Sequence, residues 1–381
     1  MSRIQPSLTL AITARAKEMK RAGEQVWSFG AGEPDFDTPV PIKEKAKEAL
    51  DRGETKYAPV AGLQGLCAAI SAKLESENGL KYEPSRIVLS NGAKHSLFNV
   101  IMALCDEGDE IIIPGPYWLS YPEMVRIAGG TPVCVLGKDE SGFRLSIDEL
   151  ESVVTPRTRA IIVNSPSNPT GIALGKSELT AIAEFATRHD LYIISDEIYE
   201  KLVYDGAAHV SIGSLSQDVF ERTITVNGFS KAYAMTGWRL GYCAGPKDVI
   251  GAVLSLQSHS TSAPNTFAQF GAIEALMGGE GEVQDMVRSF AERRNRLYES
   301  VIAIAGVSCV KPMGAFYLFP NISSFGLDSV AFCRRLLEEQ KVAVVPGLPF
   351  GADGNVRLSY ACSMETIEKG TDGLSRFVDS L

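Results

Sequence analysis

The sequence predicts an α/β protein: a mixed, mostly parallel sheet between helices, with a smaller α+β domain attached. Three observations predict it. Short apolar runs, each ended by a turn, recur through the middle of the chain. Stretches of helical periodicity separate most of them, and the last third changes character. Runs that are continuously apolar belong to strands buried on both faces, as in parallel sheets covered by helices.

Taken in order, RIVLSNG (Arg86 to Gly92) is a strand, followed by a helix from Lys94 to Leu104. EIIIPGP (Glu110 to Pro116) is the next strand, with a helix near Ser120 to Ala128 and then TPVCVLG (Thr131 to Gly137). A polar, hairpin-like stretch leads to RAIIVNSPSNPTG (Arg159 to Gly171). The helix after it, Lys176 to Arg188, carries Leu179, Ile182, Ala183 and Ala186 on one face. LYIISDEIY (Leu191 to Tyr199) and RTITVNGFSK (Arg222 to Lys231) follow. GYCAGP (Gly241 to Pro246) comes too soon after Lys231 for a crossover helix, so it runs antiparallel in the same sheet. These runs make seven strands. A helix over Val283 to Ala305 then precedes two further strands, AFYLFP (Ala315 to Pro320) and NVRLSYA (Asn355 to Ala361). The domain reading is an arm of residues 1–40 packing with the small domain, a large domain of 41–280, and a small domain of 281–381.

A chain of 381 residues exceeds what one core supports. Its net charge of −9, spread without blocks, argues against nucleic acid and anionic membranes. A small anionic ligand must therefore be met by particular arginines. Seven scattered cysteines without a C-x-x-C pair read as reduced core thiols. No leader-like apolar segment and no membrane-length apolar run is evident, so cytoplasm is the expected compartment. Four histidines without H-E-x-x-H spacing, and no G-x-x-x-x-G-K-[ST], leave metal hydrolases and P-loop enzymes without support.

Ligands of open α/β sheets bind at the carboxyl ends of the strands. Those ends carry Asn91-Gly92-Ala93-Lys94, Tyr117-Trp118, Asn164 through Asn168, Asp196 with Tyr199, and Ser230-Lys231. Each alone has an ordinary reading: a helix cap, a core indole, a turn, a solvated lysine. A carboxylate, phenol, amide, indole and amine on one rim suit a cofactor that needs several unlike contacts.

The run GFSKAYAMTGWRLG (Gly228 to Gly241) narrows the class. It resembles the pyridoxal 5′-phosphate (PLP) attachment signature of class I and II aminotransferases, with Gly228 and Ser230 as the small residues, Lys231 and Arg239. A lysine amine forms a Schiff base with the cofactor's aldehyde and can later move a proton. Small neighbours admit the phosphate, and an arginine gives it a permanent bidentate partner.

The resemblance extends over nearly the whole chain, to bacterial-type aspartate aminotransferases of fold type I, a group that includes prephenate aminotransferases. Gly32 in AGEPDFDTP, Tyr57 in TKYAPVAG, Asn168 in NSPSNPTG, Asp196 and Tyr199 in SDEIYE, and Arg357 in VRLSYA carry it. It implies that Lys231, Asp196 and Tyr199 are catalytic. Asp196 would bind the pyridine nitrogen, Tyr199 and Asn168 the phenolic oxygen, and Trp118 the ring face. Ala93, Lys94, Ser230 and Arg239 would hold the phosphate, with Tyr57 reaching it from the second subunit of a homodimer. Arg357 would take the substrate α-carboxylate, assisted by Gly32 and Asn168, and Lys94, helped by Thr9, a distal carboxylate. The resemblance thus implies amino acid and 2-oxo acid substrates, with aspartate and 2-oxoglutarate preferred. Prephenate, a wider range of amino acids, and β-lyase chemistry on the same cofactor stay open.

Overall fold

The computed structural model describes residues 8–381, with side chains from Ala14 onward. Its centre is a seven-stranded sheet of β1 (Ile87–Ser90), β2 (Glu110–Gly115), β3 (Thr131–Leu136), β4 (Thr158–Asn164), β5 (Tyr192–Asp196), β6 (Thr223–Gly228) and β7 (Gly241–Ala244). The spatial order is β1-β7-β6-β5-β4-β2-β3. Strand β7 is antiparallel to both its neighbours, β1 and β6, and the remaining pairs are parallel. All the strands except β7 therefore point the same way, and their carboxyl ends form one rim.

The burial explains the composition. Ile111, Ile112, Ile161, Ile193, Ile194 and Ile224 are completely buried between helix layers. Each such side chain contributes about 1.5–3 kcal/mol by leaving water. β3 is the exception. It lies at the edge, is half open to solvent, and carries Pro132 where a missing backbone donor is tolerated.

The polar stretch between β3 and β4 corrects the sequence reading. It is not hairpin-like but a short 3₁₀ turn, Asp139–Ser141, and a helix, Ile147–Glu151. Ser146 and Glu149 form a reciprocal capping box there, which satisfies two helix-end donors.

After the helix Glu280–Ile302 come β8 (Tyr317–Leu318), β9 (Val345–Pro346) and β10 (Val356–Ser359). They form an antiparallel sheet in the order β9-β10-β8. AFYLFP supplies only two strand residues, because Phe316 and Phe319 are apolar as core fillers beside the strand. Trp27–Ser28 pairs in parallel with Val342–Ala343, and Ala16, Met19 and Val26 pack on Leu337 and Ala343. The N-terminal segment is thereby fastened to the C-terminal part of the chain. Among the described residues no helix is long and apolar enough to cross a membrane.

Candidate active site

A cavity of about 740 Å³ opens at the carboxyl rim of the sheet. Gly32, Ala93, Lys94, Trp118, Asn168, Asp196, Tyr199, Ser230, Lys231, Arg239 and Arg357 all line it. Every residue given a cofactor or substrate role from the sequence is thus gathered here except Tyr57 and Thr9, while Asn91, Gly92, Tyr117 and Gly228, also noted at the rim, are not among the lining residues. Tyr57 is 99% exposed and lies away from the cavity of its own chain. Thr9's side chain falls outside those described.

Lys231 follows the end of β6. Three residues earlier, Gly228 faces β7 so closely that a Cβ would lie 2.9 Å from Gly241 Cα and Leu240 O. This contact requires the small residue there. The Lys231 ammonium donates to the Gly32 carbonyl at 2.5 Å. Its side chain opens to the cavity and is otherwise enclosed by protein. Burial pulls its pKa down to about 8; Glu33 opposes this, and Arg357 and Arg239 add to it.

Asp196 ends β5, almost fully buried. Burial pushes its carboxyl up to about 6. The Tyr121 hydroxyl, which donates to Oδ2 at 2.6 Å, and the Ile198 N–H, which donates to Oδ1 at 3.3 Å, pull the other way. Asn164 bonds the Asp196 carbonyl at 3.0 Å through its amide nitrogen and accepts the Asn168 N–H at 3.0 Å. The β4 loop is thereby tied to β5. The Tyr199 hydroxyl lies 3.0 Å from that of Tyr317, and burial holds the Tyr199 phenol well above its ordinary value.

A second group of residues builds an anion cradle. Gly92 caps the helix Ala93–Leu104 with φ +87°, and the first N–H groups of a helix lack intrahelical partners. Arg239 lies against it. A Cβ at Gly92 would sit 2.4 Å from Arg239 Nη2, and one at Gly241 would sit 2.2 Å from the Ala93 nitrogen. The guanidinium is fixed by bonds to the carbonyls of Thr236 at 2.9 Å and Asn91 at 3.2 Å. With the buried Ser230 beside them, a helix N-terminus and a fixed guanidinium suit a phosphate.

Arg357, on β10, is the opposite cation of the cavity. It is buried, and Nη1 donates to Asn168 Oδ1 at 2.9 Å. It lies 4.4 Å over the Tyr317 ring, and its Nε has no partner. Among the described residues it has no carboxylate partner. A buried guanidinium with an unpaired edge is costly unless a ligand completes it. Lys94 lies 4.8 Å from the Trp118 ring centroid; burial, and then Arg239, lower its pKa.

Tyr121, Tyr317 and Glu33 escaped the sequence reading. Tyr121 lies three residues after Trp118, in the first turn of the helix Ser120–Ile127 that Trp118 precedes, and their rings meet edge-on at 5.3 Å. That spacing was the available signal. Tyr317 read as core strand. Glu33 accepts from the Thr236 hydroxyl at 2.8 Å, a contact between distant segments that no local pattern announces.

The sequence model of the family Aminotransferase class I and II matches residues 24–374. The chain is 49% identical to the Bacillus subtilis aspartate aminotransferase over 384 residues, covering 100% of this chain and 98% of that protein. It is 45% identical to the aspartate/prephenate aminotransferase of Cereibacter sphaeroides, covering 100% and 98%. The structure of Thermus thermophilus aspartate aminotransferase with maleate superposes with a TM-score of 0.95 at 46% identity, over 98% of this chain and 97% of that one. Matched along almost its whole length, with its lysine and its arginines facing one cavity, the chain belongs to the class I PLP-dependent aminotransferases of fold type I and is aspartate aminotransferase-like.

Proposed function

We propose that this chain exchanges amino groups between aspartate and 2-oxoglutarate, alternating the two substrates at one site. The observation that carries the reading is the pairing, in one cavity, of a lysine with a lowered pKa and a buried arginine with an unpaired edge. When bound, PLP supplies an electrophilic carbonyl carbon and a ring that draws electrons from the substrate's Cα.

Lys231 would hold the cofactor and, once displaced by the substrate amine, take the proton from the substrate Cα. Its lowered pKa keeps a useful fraction neutral near physiological pH. Asp196 would face the ring nitrogen as a carboxylate, stabilised by Tyr121. Tyr199 and Asn168 would donate to the phenolic oxygen, the Asn168 amide nitrogen being available because its oxygen is engaged by Arg357. Trp118 would cover the ring. Ala93 and Lys94 N–H, Ser230 and Arg239 would take the phosphate. Tyr57, fully exposed here, would complete the cradle of a second copy in a homodimer.

Arg357 would bind the substrate α-carboxylate, with the Gly32 backbone and Asn168 assisting. Lys94, at the cavity wall without an acidic partner among the described residues, would take the distal carboxylate. Binding of the dicarboxylate maleate by the Thermus relative supports a dicarboxylic substrate. The name of the Cereibacter relative supports prephenate as a further acceptor.

The test is the absorption spectrum of the purified protein during addition of single amino acids. A yellow chromophore that bleaches with aspartate and returns with 2-oxoglutarate or prephenate supports the reading. Bleaching with aromatic amino acids or alanine but not aspartate would remove Lys94 from its role. No chromophore after PLP is added would sink the assignment of Lys231.

A further inference from the structure

The turn after β5 faces two ways. Asp196 and Tyr199, three residues apart, line the cavity. Glu197 and Glu200, also three apart, enter a buried polar cluster behind it. Glu197, 1% exposed, accepts from Ser195 Oγ at 2.9 Å and from Ser211 Oγ at 2.6 Å, and lies 3.0 Å from His209 Nε2. Glu200 pairs with Lys73 and accepts from Asn78 Nδ2 at 2.8 Å. Lys73 also donates to Asn78 Oδ1 at 2.8 Å. Lys73 and Asn78 belong to the helix Gln64–Asn78, and His209 and Ser211 to the loop after the turn. Two separate segments thus converge on the back of the turn that presents Asp196 and Tyr199.

The four groups Glu197, Glu200, Lys73 and His209 sum to zero only when His209 is protonated; at the cluster's outer edge Lys73 also lies 3.7 Å from Glu77, whose charge is offset by Lys201 at 2.8 Å. The charged groups facing His209 are Glu197, Glu200 and Lys73. Burial opposes its proton, as does Lys73, and the two carboxylates outweigh them, so its pKa is raised. Lys73, His209 and Asn78 hold the Glu200 carboxyl down to about 2 despite burial. Glu197, Glu200 and His209 do bring three ligand-type atoms within 4.8 Å of one another. Donors already occupy them: Lys73 and Asn78 on Glu200, and Ser211 and the imidazole on Glu197. The cation of this cluster is built from side chains.

We infer that Glu197, Glu200 and His209 are positioning residues, which with Lys73 clamp the turn from behind and balance the charge beneath Asp196. The inference rests on the roles proposed above for Asp196 and Tyr199. The Glu197 charge destabilises ionised Asp196, and the His209 proton offsets it. Loss of that proton leaves a net negative charge a few residues from the ring-facing carboxylate.

The experiment uses the PLP-loaded enzyme with His209→Gln, Glu197→Gln and the double variant. The readouts are the pH at which the bound chromophore changes colour, the cofactor dissociation constant and the melting temperature. His209→Gln is expected to move the colour change to higher pH by up to about one unit, the size of one uncompensated charge at an effective dielectric constant of about 20. It is also expected to weaken cofactor binding several-fold. The double variant, neutral again, is expected to return toward the parent. His209 in the parent should titrate above the ordinary histidine value of about 6.5 by NMR, a measurement that needs no variant to fold. A His209→Gln enzyme that melts earlier with its colour change and cofactor affinity unmoved would overturn the inference, as would a His209 that titrates at or below the ordinary value. A parent protein that takes up no chromophore fails the underlying reading instead.

Discussion

Replacing Gly92 by alanine tests the anion cradle at its tightest point. Gly92 sits at φ +87°, ψ 161°, a conformation essentially restricted to glycine, whose occupation by another residue costs about 1–3 kcal/mol. The added Cβ would also lie 2.4 Å from Arg239 Nη2 and 2.9 Å from Cζ. The guanidinium must withdraw, loosening its bonds to the Asn91 and Thr236 carbonyls, or the start of the helix must shift. Either response disturbs the helix N-terminus and the arginine together. A combined loss of about 2–4 kcal/mol corresponds to cofactor binding weaker by roughly 30- to 1000-fold. The assay is fluorescence titration of the cofactor-free protein with PLP, with melting curves taken with and without cofactor. In the cofactor-free protein the turn and the guanidinium can withdraw and relieve this strain, whereas a bound phosphate demands the parental arrangement. Gly92→Ala should therefore show more of its cost as weaker binding than as a lower melting temperature of the cofactor-free fold. Combined with Arg239→Ala, it should add little, because both changes remove one cradle. Parental affinity in Gly92→Ala, or additive losses in the double variant, would refute the reasoning.

Other outcomes follow from the same geometry. Arg357→Gln should lower kcat/KM for the amino acid by roughly a hundredfold or more, the cost of losing one partner of a buried charge pair; steady-state kinetics reads this, and the chromophore should persist. Tyr121→Phe removes a hydrogen bond that lowers the Asp196 pKa. Asp196 should then be protonated over more of the neutral range, and the pH midpoint of cofactor affinity should rise. With Lys231 in its proposed role its neutral amine would be the nucleophile, so cofactor capture by the cofactor-free protein should accelerate about tenfold per pH unit below about 8 and level off above it. Stopped-flow absorbance checks this, and a rise continuing toward the ordinary lysine value of about 10.4 would contradict the lowered pKa.

The sheet was legible because its strands are buried on both faces, so runs such as Ile111–Ile113 and Ile193–Ile194 are apolar without interruption. The rim was legible because chemistry-bearing residues follow those runs directly, Asp196 after Ile194 and Lys231 after Val226. Two kinds of feature were not. The stretch between β3 and β4 is polar because its helix is short and exposed, so apolar periodicity is weak there; the signal was the Ser146–Glu149 capping pair. The contacts of Tyr121 with Asp196, Tyr317 with Tyr199 and Glu33 with Thr236 join residues 75, 118 and 203 positions apart. Such pairs are products of tertiary packing, which no local spacing encodes. The back of the β5 turn was equally silent: Glu197 and Glu200 look like surface acids until Lys73 and His209 are brought to them.

The reversal of β7 has a consequence for how the site is assembled. Because β7 runs against β6, the chain leaves the rim at Gly228 and returns to it at Gly241 without crossing the sheet. The amine of Lys231 and the guanidinium of Arg239 therefore stand on a single excursion of the backbone. A parallel β7 would have needed the chain to cross back to the opposite edge of the sheet, usually through a helix, and the cation would have belonged to a separately placed element. Here any displacement of the excursion carries both groups with it. Their separation is a property of one loop, insulated from shifts between the rest of the sheet and the C-terminal part of the chain that carries Arg357.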